Sequence, residues 1–429
     1  MKVWKSTELS PDWFKRKIVS DKKDSAALEK TVKDVILAVK ERGDSALVEF
    51  TEKFDKTKLA PQNLKVTSKE IKSADQEVTK EQVAALKIMK TRLEAREKRT
   101  LKKQPTKITK EGVTVWTALR SLDSVGCYVP GGQAAYPSTL IMTATPAKVA
   151  GVPRIVVCSP PTEKGNINPL ILVAADICGV NEVYKIGGAQ AIAALAYGTQ
   201  TIKPVRKIVG PGSKYVTMAK ILVSQDVAID MPAGPSEVLV LADETANPKL
   251  VASDMVSQAE HGADSVAGLV TSSNKLAEKV QDWLGKLAEI AERGDIVKES
   301  LRANGFIITC KNNDELAPLA NAFAPEHLEI VTKNPSSIAD KINSAGLILI
   351  GPYSPVALSD YASGTNHVLP TGGFGYAFSG LSVLDFTRRV SIVESTKEGL
   401  QKVEATLKVL TEAERFPNHF KAVEARFEK

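Results

Sequence analysis

The run Glu182-Val183-Tyr184-Lys185-Ile186-Gly187-Gly188-Ala189-Gln190-Ala191-Ile192-Ala193-Ala194-Leu195-Ala196-Tyr197 reads as strand, glycine turn and apolar helix in quick succession. The same texture recurs around it. Residues 125–129 run into Pro130-Gly131-Gly132 and a helix beginning near Pro137. Residues 154–158 precede an apolar helix over 168–178 with Gly179 as its stop, and 207–209 lead through Gly210-Pro211-Gly212-Ser213 into a helix reaching about 224. Repeated strand, turn and helix imply βαβ units and a parallel sheet. A second such region starts with a strand at 238–242. It continues through a helix at 253–260 and strands at 306–310 and 347–350.

The flanks differ. Residues 26–42 carry Leu28, Val32, Val35, Ile36 and Val39 at helical spacing, ended by Gly43, and 81–98 repeat the pattern. Beyond Asp385 the chain reads as helical and charged, with 398–415 amphipathic and Pro417 breaking it. That tail has too little apolar surface for its own core and needs another surface, such as a second subunit. A chain of 429 residues exceeds one ordinary core and implies two or three domains.

The net charge of +7 comes from scattered lysines and one denser stretch over 92–110. That stretch has no interleaved aromatic residues and no nucleic-acid motif, so it reads as a solvated helix end and linker. No apolar secretory region opens the sequence, and glycine and proline interrupt the uncharged run 125–147. A cytoplasmic location is expected, with neither membrane nor nucleic acid as partner. The four cysteines lack C-x-x-C spacing and read as reduced core thiols, although Cys127 beside Gly126 leaves a nucleophilic thiol open.

Only four histidines occur, each in a segment dense in carboxylate, amide or glycine: His261, His327, His367 and His419. Their scarcity suggests one site that gathers them. Gln258 and His261, three apart on a helix, share a face. Asp360 and His419 could complete a mixed nitrogen and oxygen set suited to Zn²⁺, although the spacing signal is weak and no H-E-x-x-H is present. In Pro325-Glu326-His327 the histidine is a natural general base beside a carboxylate; a helix start would explain the same residues. The glycine turns could cradle phosphate at helix N-termini or be plain tight turns, and none reads G-x-G-x-x-G.

Taken together, these segments resemble the histidinol dehydrogenase family. Seven ordered motifs carry the likeness: GCYVPGGQAAYPST (126–139), KIGGAQAIAALAYGT (185–199), KIVGPGSKYVT (207–217), DMPAGPSEVLV (230–240), SDMVSQAEHGADS (253–265), FAPEHLEI (323–330) and LSDYASGTNHVLPTGG (358–373). A looser match, EAERFPNHFKAVEAR (412–426), lies in the tail.

The resemblance implies an α/β protein with two incomplete Rossmann-like parallel-sheet domains and helical N- and C-terminal extensions that intertwine in a dimer. Its division would be a helical extension over 1–24, a discontinuous first domain over 25–124 and 237–381, a second over 125–236, and a dimerisation tail over 382–429. It implies NAD-linked oxidation of L-histidinol, via L-histidinaldehyde, to L-histidine, the last two steps of histidine biosynthesis. Zinc would be held by Gln258, His261, Asp360 and His419, the last from the other subunit of a homodimer with shared sites. Glu326 and His327 would be the catalytic acid/base pair. Ser236, His367 and Glu414 would join the zinc ligands and His327 in contacting substrate, Glu414 again from the other subunit. Tyr128, Gln190 and Ser213 would meet NAD. Two positions depart from the family pattern: Ser213 stands where most members carry asparagine, and Tyr136 is bulkier than usual. The rivals are a relative oxidising another polar alcohol, a zinc hydrolase and a non-catalytic two-lobed binding protein. Retention of His367 and Glu414 disfavours the first, and the Glu326-His327 pair disfavours the last.

Overall fold

The computed structural model describes residues 1–10, 13, 22–103, 106–131 and 135–428, with side chains in the first helix from residue 26. Gly132, at the end of the first glycine turn, and most of 11–21 in the expected N-terminal extension lie outside the described residues. Two parallel sheets organise the chain, as the recurring strand, turn and helix predict. One has six strands in the order Lys2–Lys5, Phe306–Thr309, Val266–Thr271, Glu237–Ala242, His327–Val331, Leu347–Ile350. The other has five, ordered Glu182–Lys185, Arg154–Ser159, Ser124–Tyr128, Lys207–Val209, Ala228–Ile229. The central strands Glu237–Ala242 and Ser124–Tyr128 are buried along their whole length. Parallel strands covered on both faces read as continuous apolar runs, which is why Val238 to Leu241 carry no polar alternation.

Helical packing differs from the division expected at 25–124 and 237–381. Helix Lys22–Arg42 lies on helices Gly188–Tyr197 and Lys214–Val223, and helix Lys80–Lys102 lies on Pro137–Ala150. The apolar stripe Leu28, Val32, Ile36 and Val39 joins the same buried cluster as Ile192, Leu195 and Val216. These N-terminal helices therefore cover the five-stranded sheet, because the apolar surface that completes their stripe is there. The expected helical extension over 1–24 instead begins as strand Lys2–Lys5 on the edge of the six-stranded sheet.

The tail also departs from a purely helical reading. Strand Thr387–Ser395 pairs antiparallel with Val113–Ser121, which in turn pairs with Lys107–Lys110. Thr387, Val390, Ile392 and Val393 supply the β-branched residues that favour this third sheet. Only then do helices Lys397–Ala413 and Pro417–Glu424 follow. Among the described residues no helix is long and apolar enough to cross a membrane. The basic stretch is partly tied down within the chain: Arg92 donates to the Ala362 carbonyl at 2.5 Å, Arg96 reaches Glu97 at 3.0 Å and Lys98 pairs with Glu94 at 2.5 Å.

Glu97 links the helical layer to the tail. It is fully buried, and its carboxylate accepts the Val383 N–H at 2.7 Å. Burial pushes its pKa up, against that hydrogen bond and the charge of Arg96. Glu97→Ala strands the Val383 N–H and should cost about 1–3 kcal/mol. Glu97→Gln keeps the acceptor and should recover more than half of that loss. Equal destabilisation of the two variants in urea titrations would assign the effect to lost packing alone.

Candidate active site

The two parallel sheets present opposite edges to one cavity. Ser236, Glu326 and His327 line it from the N-terminal ends of strands Glu237–Ala242 and His327–Val331. Pro130, Gly131 and the 211–213 turn line it from beyond the C-terminal ends of Ser124–Tyr128 and Lys207–Val209. Helix Pro248–Ala259 contributes Gln258, and its last turn bends so that the His261 N–H donates to the Gln258 carbonyl at 3.2 Å. Asp360 comes from helix Val356–Tyr361 and His367 from the following loop. Three of the four histidines, far apart in sequence, thus line one cavity.

His327 starts a strand, not a helix: its segment pairs with Val238–Ala242 on one side and Leu347–Ile350 on the other. The residue is 3% exposed, its Nδ1–H donates to the Glu237 carbonyl at 3.2 Å, and Nδ1 lies 3.6 Å from Glu326 Oε2. Nε2 faces Asp360 Oδ1 at 3.5 Å. Burial by itself would lower the imidazole pKa; the Glu326 and Asp360 carboxylates reverse this and push it up to about 10. Burial pushes Glu326 up, opposed by His327. Asp360 is held below the usual carboxylate range, because hydrogen bonding and charge from His327 outweigh burial. Burial lowers both His261 and His367 against the pull of Asp360. Since a carbonyl can only accept, His367 Nδ1–H donates to Asp360 O at 3.2 Å, leaving Nε2 as the acceptor 3.5 Å from Thr139 Oγ1.

Glu237 was not singled out in the sequence, and it organises this wall. Its N–H donates to Glu326 Oε2 at 2.8 Å, and the Glu326 N–H donates back to Glu237 Oε2 at 3.3 Å. Glu237 Oε1 accepts the Gly372 N–H at 3.0 Å. The available signal was a lone acid opening the otherwise apolar strand EVLVLA. Glu329, the lone acid in HLEIV, is a second case. Its Oε1 accepts the Val356 N–H at 3.0 Å, which ties the His327 strand to the helix bearing Asp360. Burial and the neighbouring Asp254 raise Glu329 well above the ordinary carboxylate range, while burial pushes Asp254 up to about 6.

Gln258 Oε1 is buried without a hydrogen-bond partner, and Asp360 Oδ1 and His327 Nε2, also buried, meet only each other across 3.5 Å. Such atoms are costly unless something polar meets them. They could face a cation, and an amide oxygen, a carboxylate and a nearby imidazole form a mixed donor set. Among the described residues, however, no group of three His, Cys, Asp or Glu side chains is arranged to hold a metal by itself. His419 is exposed on helix Pro417–Glu424, and Glu414 is exposed at the end of Lys397–Ala413; neither lines the cavity.

The residues expected at the dinucleotide divide in two. Ser213 lines the cavity as the residue before helix Lys214–Val223, and its side chain makes no cap bond. Tyr128 and Gln190 are buried nearby in the fold, where the Gly188 N–H donates to the Tyr128 hydroxyl at 3.1 Å. Neither polar atom of the Gln190 amide has a partner. Cys127 is fully buried and its thiol is pushed up to about 12 by burial, which removes it as a thiolate nucleophile.

The histidinol dehydrogenase family profile matches residues 19–427. A histidinol dehydrogenase of Clostridium acetobutylicum is 47% identical over 406 residues, covering 94% of each chain. One from Vibrio parahaemolyticus is 44% identical over 95% of this chain and 93% of its own. The crystal structure of histidinol dehydrogenase from Elizabethkingia anophelis superposes with a TM-score of 0.93 at 38% identity, over 100% of this chain and 98% of that one. Family match, relatives and fold agree over nearly the full length: the chain belongs to the histidinol dehydrogenase family, oxidoreductases that convert histidinol to histidine in histidine biosynthesis.

Proposed function

We propose that this chain carries out the zinc-dependent, NAD-linked, four-electron oxidation of L-histidinol through L-histidinaldehyde to L-histidine, in the cytoplasm, as a homodimer with shared sites. The observation that carries this reading is the buried, unpartnered Gln258 Oε1 beside the buried Asp360–His327 contact, around one cavity that the 211–213 turn also lines. Zinc would be held by Gln258, His261, Asp360 and His419 of the partner subunit, a mixed set of the kind this ion accepts. Bound there, Zn²⁺ supplies a Lewis-acid anchor for substrate nitrogens, which keeps the intermediate aldehyde in place while cofactor exchanges. NAD supplies the hydride acceptor, with Tyr128, Gln190 and Ser213 as its contacts. Ser213 offers a single hydroxyl where the family's usual asparagine has both an amide donor and an acceptor.

His327 would take the alcohol proton at Nε2, since Nδ1–H is committed to the Glu237 carbonyl. A cation on Asp360 would neutralise one of the two carboxylates that hold a proton on that ring. Glu326, fixed by the Glu237 N–H, would act with His327 to draw a proton from water as it adds to the aldehyde. His327 would return the alcohol proton to the aldehyde oxygen as water adds, and is then free to take a hydroxyl proton from the hydrated aldehyde during the second oxidation. Ser236 and His367, which line the same cavity, would contact the substrate together with Glu414 of the partner subunit. Exposure of His419 and Glu414, together with the exposed apolar Val409, Leu410 and Phe416, supports a tail that docks on another copy.

The deciding measurement is NADH absorbance with histidinol before and after chelation. Activity should appear, fall on chelation and return with Zn²⁺; absorbance indifferent to chelator would remove zinc from the mechanism. Gln258→Ala and Asp360→Ala should each lower bound zinc per chain, read by metal analysis independently of turnover. His327→Ala should reduce the first oxidation by about 10²–10⁴-fold, the usual contribution of a general base; turnover at the parent rate would end its assignment. Mixing inactive His327→Ala chains with inactive His419→Ala chains should restore activity, because some mixed dimers hold one intact site. Activity that stays absent in demonstrably mixed dimers would exclude site sharing.

A further inference from the structure

Lys220 is a buried ammonium that the reaction outlined above leaves without a task. It sits on helix Lys214–Val223 with 1% of its surface exposed. Its Nζ donates to the Gly210 carbonyl at 2.9 Å and the Met231 carbonyl at 3.1 Å, and it forms an ion pair with Asp230. A lysine ammonium has three N–H donors, so three partners occupy it fully. Asp230 in turn accepts the Gly210 N–H at 2.7 Å. Both polar backbone groups of Gly210 are therefore held by one ion pair.

Gly210 is the first residue of the 210–213 turn, and its backbone is in the left-handed half of conformational space at φ +115°. A Cβ placed there would fall 2.2 Å from the Tyr128 carbonyl oxygen, so the turn presses directly on the end of the neighbouring strand. Met231, the other carbonyl partner, leads into the 233–236 segment that also lines the cavity. One turn of helix away, Thr217 Oγ1 donates to the Ala233 carbonyl at 2.8 Å. One helix face thus ties together the two loops that form this part of the wall.

Burying an ion pair costs desolvation that a methionine or leucine at the same place would avoid. The contacts show what the pair does in return: it fixes two loops just beyond the point where their strands stop pairing, at Ile208 and Asp230. We propose that Lys220, acting with Asp230, is a positioning residue that sets the shape of the 210–213 turn for the dinucleotide. It thereby governs cofactor affinity without touching the reacting atoms. The inference rests on the reading of that turn as a cofactor contact.

Lys220→Met keeps the hydrocarbon stem and removes all three donors, and Lys220→Met with Asp230→Asn also removes the charge left unpaired. Both should raise KM for NAD by about tenfold, about 1.4 kcal/mol in binding. KM for histidinol and kcat at saturating NAD should move less than about twofold. Thr217→Val, isosteric and uncharged, should shift KM for NAD in the same direction by a smaller factor, and serves if the lysine variants do not fold. Parallel rises in both KM values, or none in any variant, would overturn the assignment. Recovery of both thermal stability and KM for NAD in the double variant would reduce the ion pair to a structural element and overturn it too. Ser213→Phe separates the two levels. If it leaves KM for NAD unchanged, the cofactor reading of the turn fails. If it raises KM for NAD and the other variants do not, only the role of Lys220 fails.

Discussion

The exchange of hydrogen bonds between Glu237 and Glu326 fixes the wall on which the rest of the site is built. Each residue gives its N–H to the other's carboxylate, at the point where two adjacent parallel strands begin. Parallel strands leave N–H groups unpaired at their starts, and a carboxylate is the strongest uncomplicated acceptor for them. Two acids used crosswise satisfy both strand starts and lock the strand register in one step. That register sets His327 opposite Val238 and lets the ring reach the Glu237 carbonyl. Shift the strand by one residue and the imidazole turns to the opposite face of the sheet.

Negative charge accumulates around His327 as a result. Glu326 and Asp360 flank the ring, and Glu329 lies two residues along the same strand, where it meets Asp254 from the helix that carries Gln258. Two carboxyl groups buried together cannot both ionise cheaply, and both members of this pair are raised. Through the Val356 N–H, Glu329 reaches the helix bearing Asp360. Elements carrying His327, Gln258 and Asp360 thus meet at one buried acid pair. Lys220 and Asp230 do a comparable task on the other wall with opposite charges.

Much of this was legible in the sequence because it is local. Glycine turns after short apolar runs marked the parallel strands, and the stripe from Leu28 to Val39 marked a helix ended by Gly43. Convergence of His261, His327 and His367 was legible only as scarcity and neighbourhood, and the fold supplies the proximity. The antiparallel sheet was missed because Lys107–Lys110 and Thr387–Ser395 are charged, largely exposed strands separated by most of the chain. Their pairing partner, Val113–Ser121, lies between them in space but beside only one in sequence. Strand Lys2–Lys5 was missed for a related reason: four residues carry no period, and their partner lies at Phe306–Thr309. Glu237 and Glu329 were passed over because a single acid in an apolar strand breaks no pattern until its partners are known.

The opposed sheet edges give one cavity two walls of opposite electrostatic character. At the C-terminal edge of the five-stranded sheet, the 211–213 turn leads into helix Lys214–Val223, whose N-terminal N–H groups and dipole favour anions. At the N-terminal edge of the six-stranded sheet, the same kind of free N–H is already taken by Glu237 and Glu326. That wall is consequently acidic and favours a cation, whether a metal ion or a protonated amino alcohol. Two edges of the same polarity would have made both walls attract the same charge. Setting the C-terminal edge of one sheet against the N-terminal edge of the other produces the gradient from backbone geometry, and the titratable side chains only sharpen it.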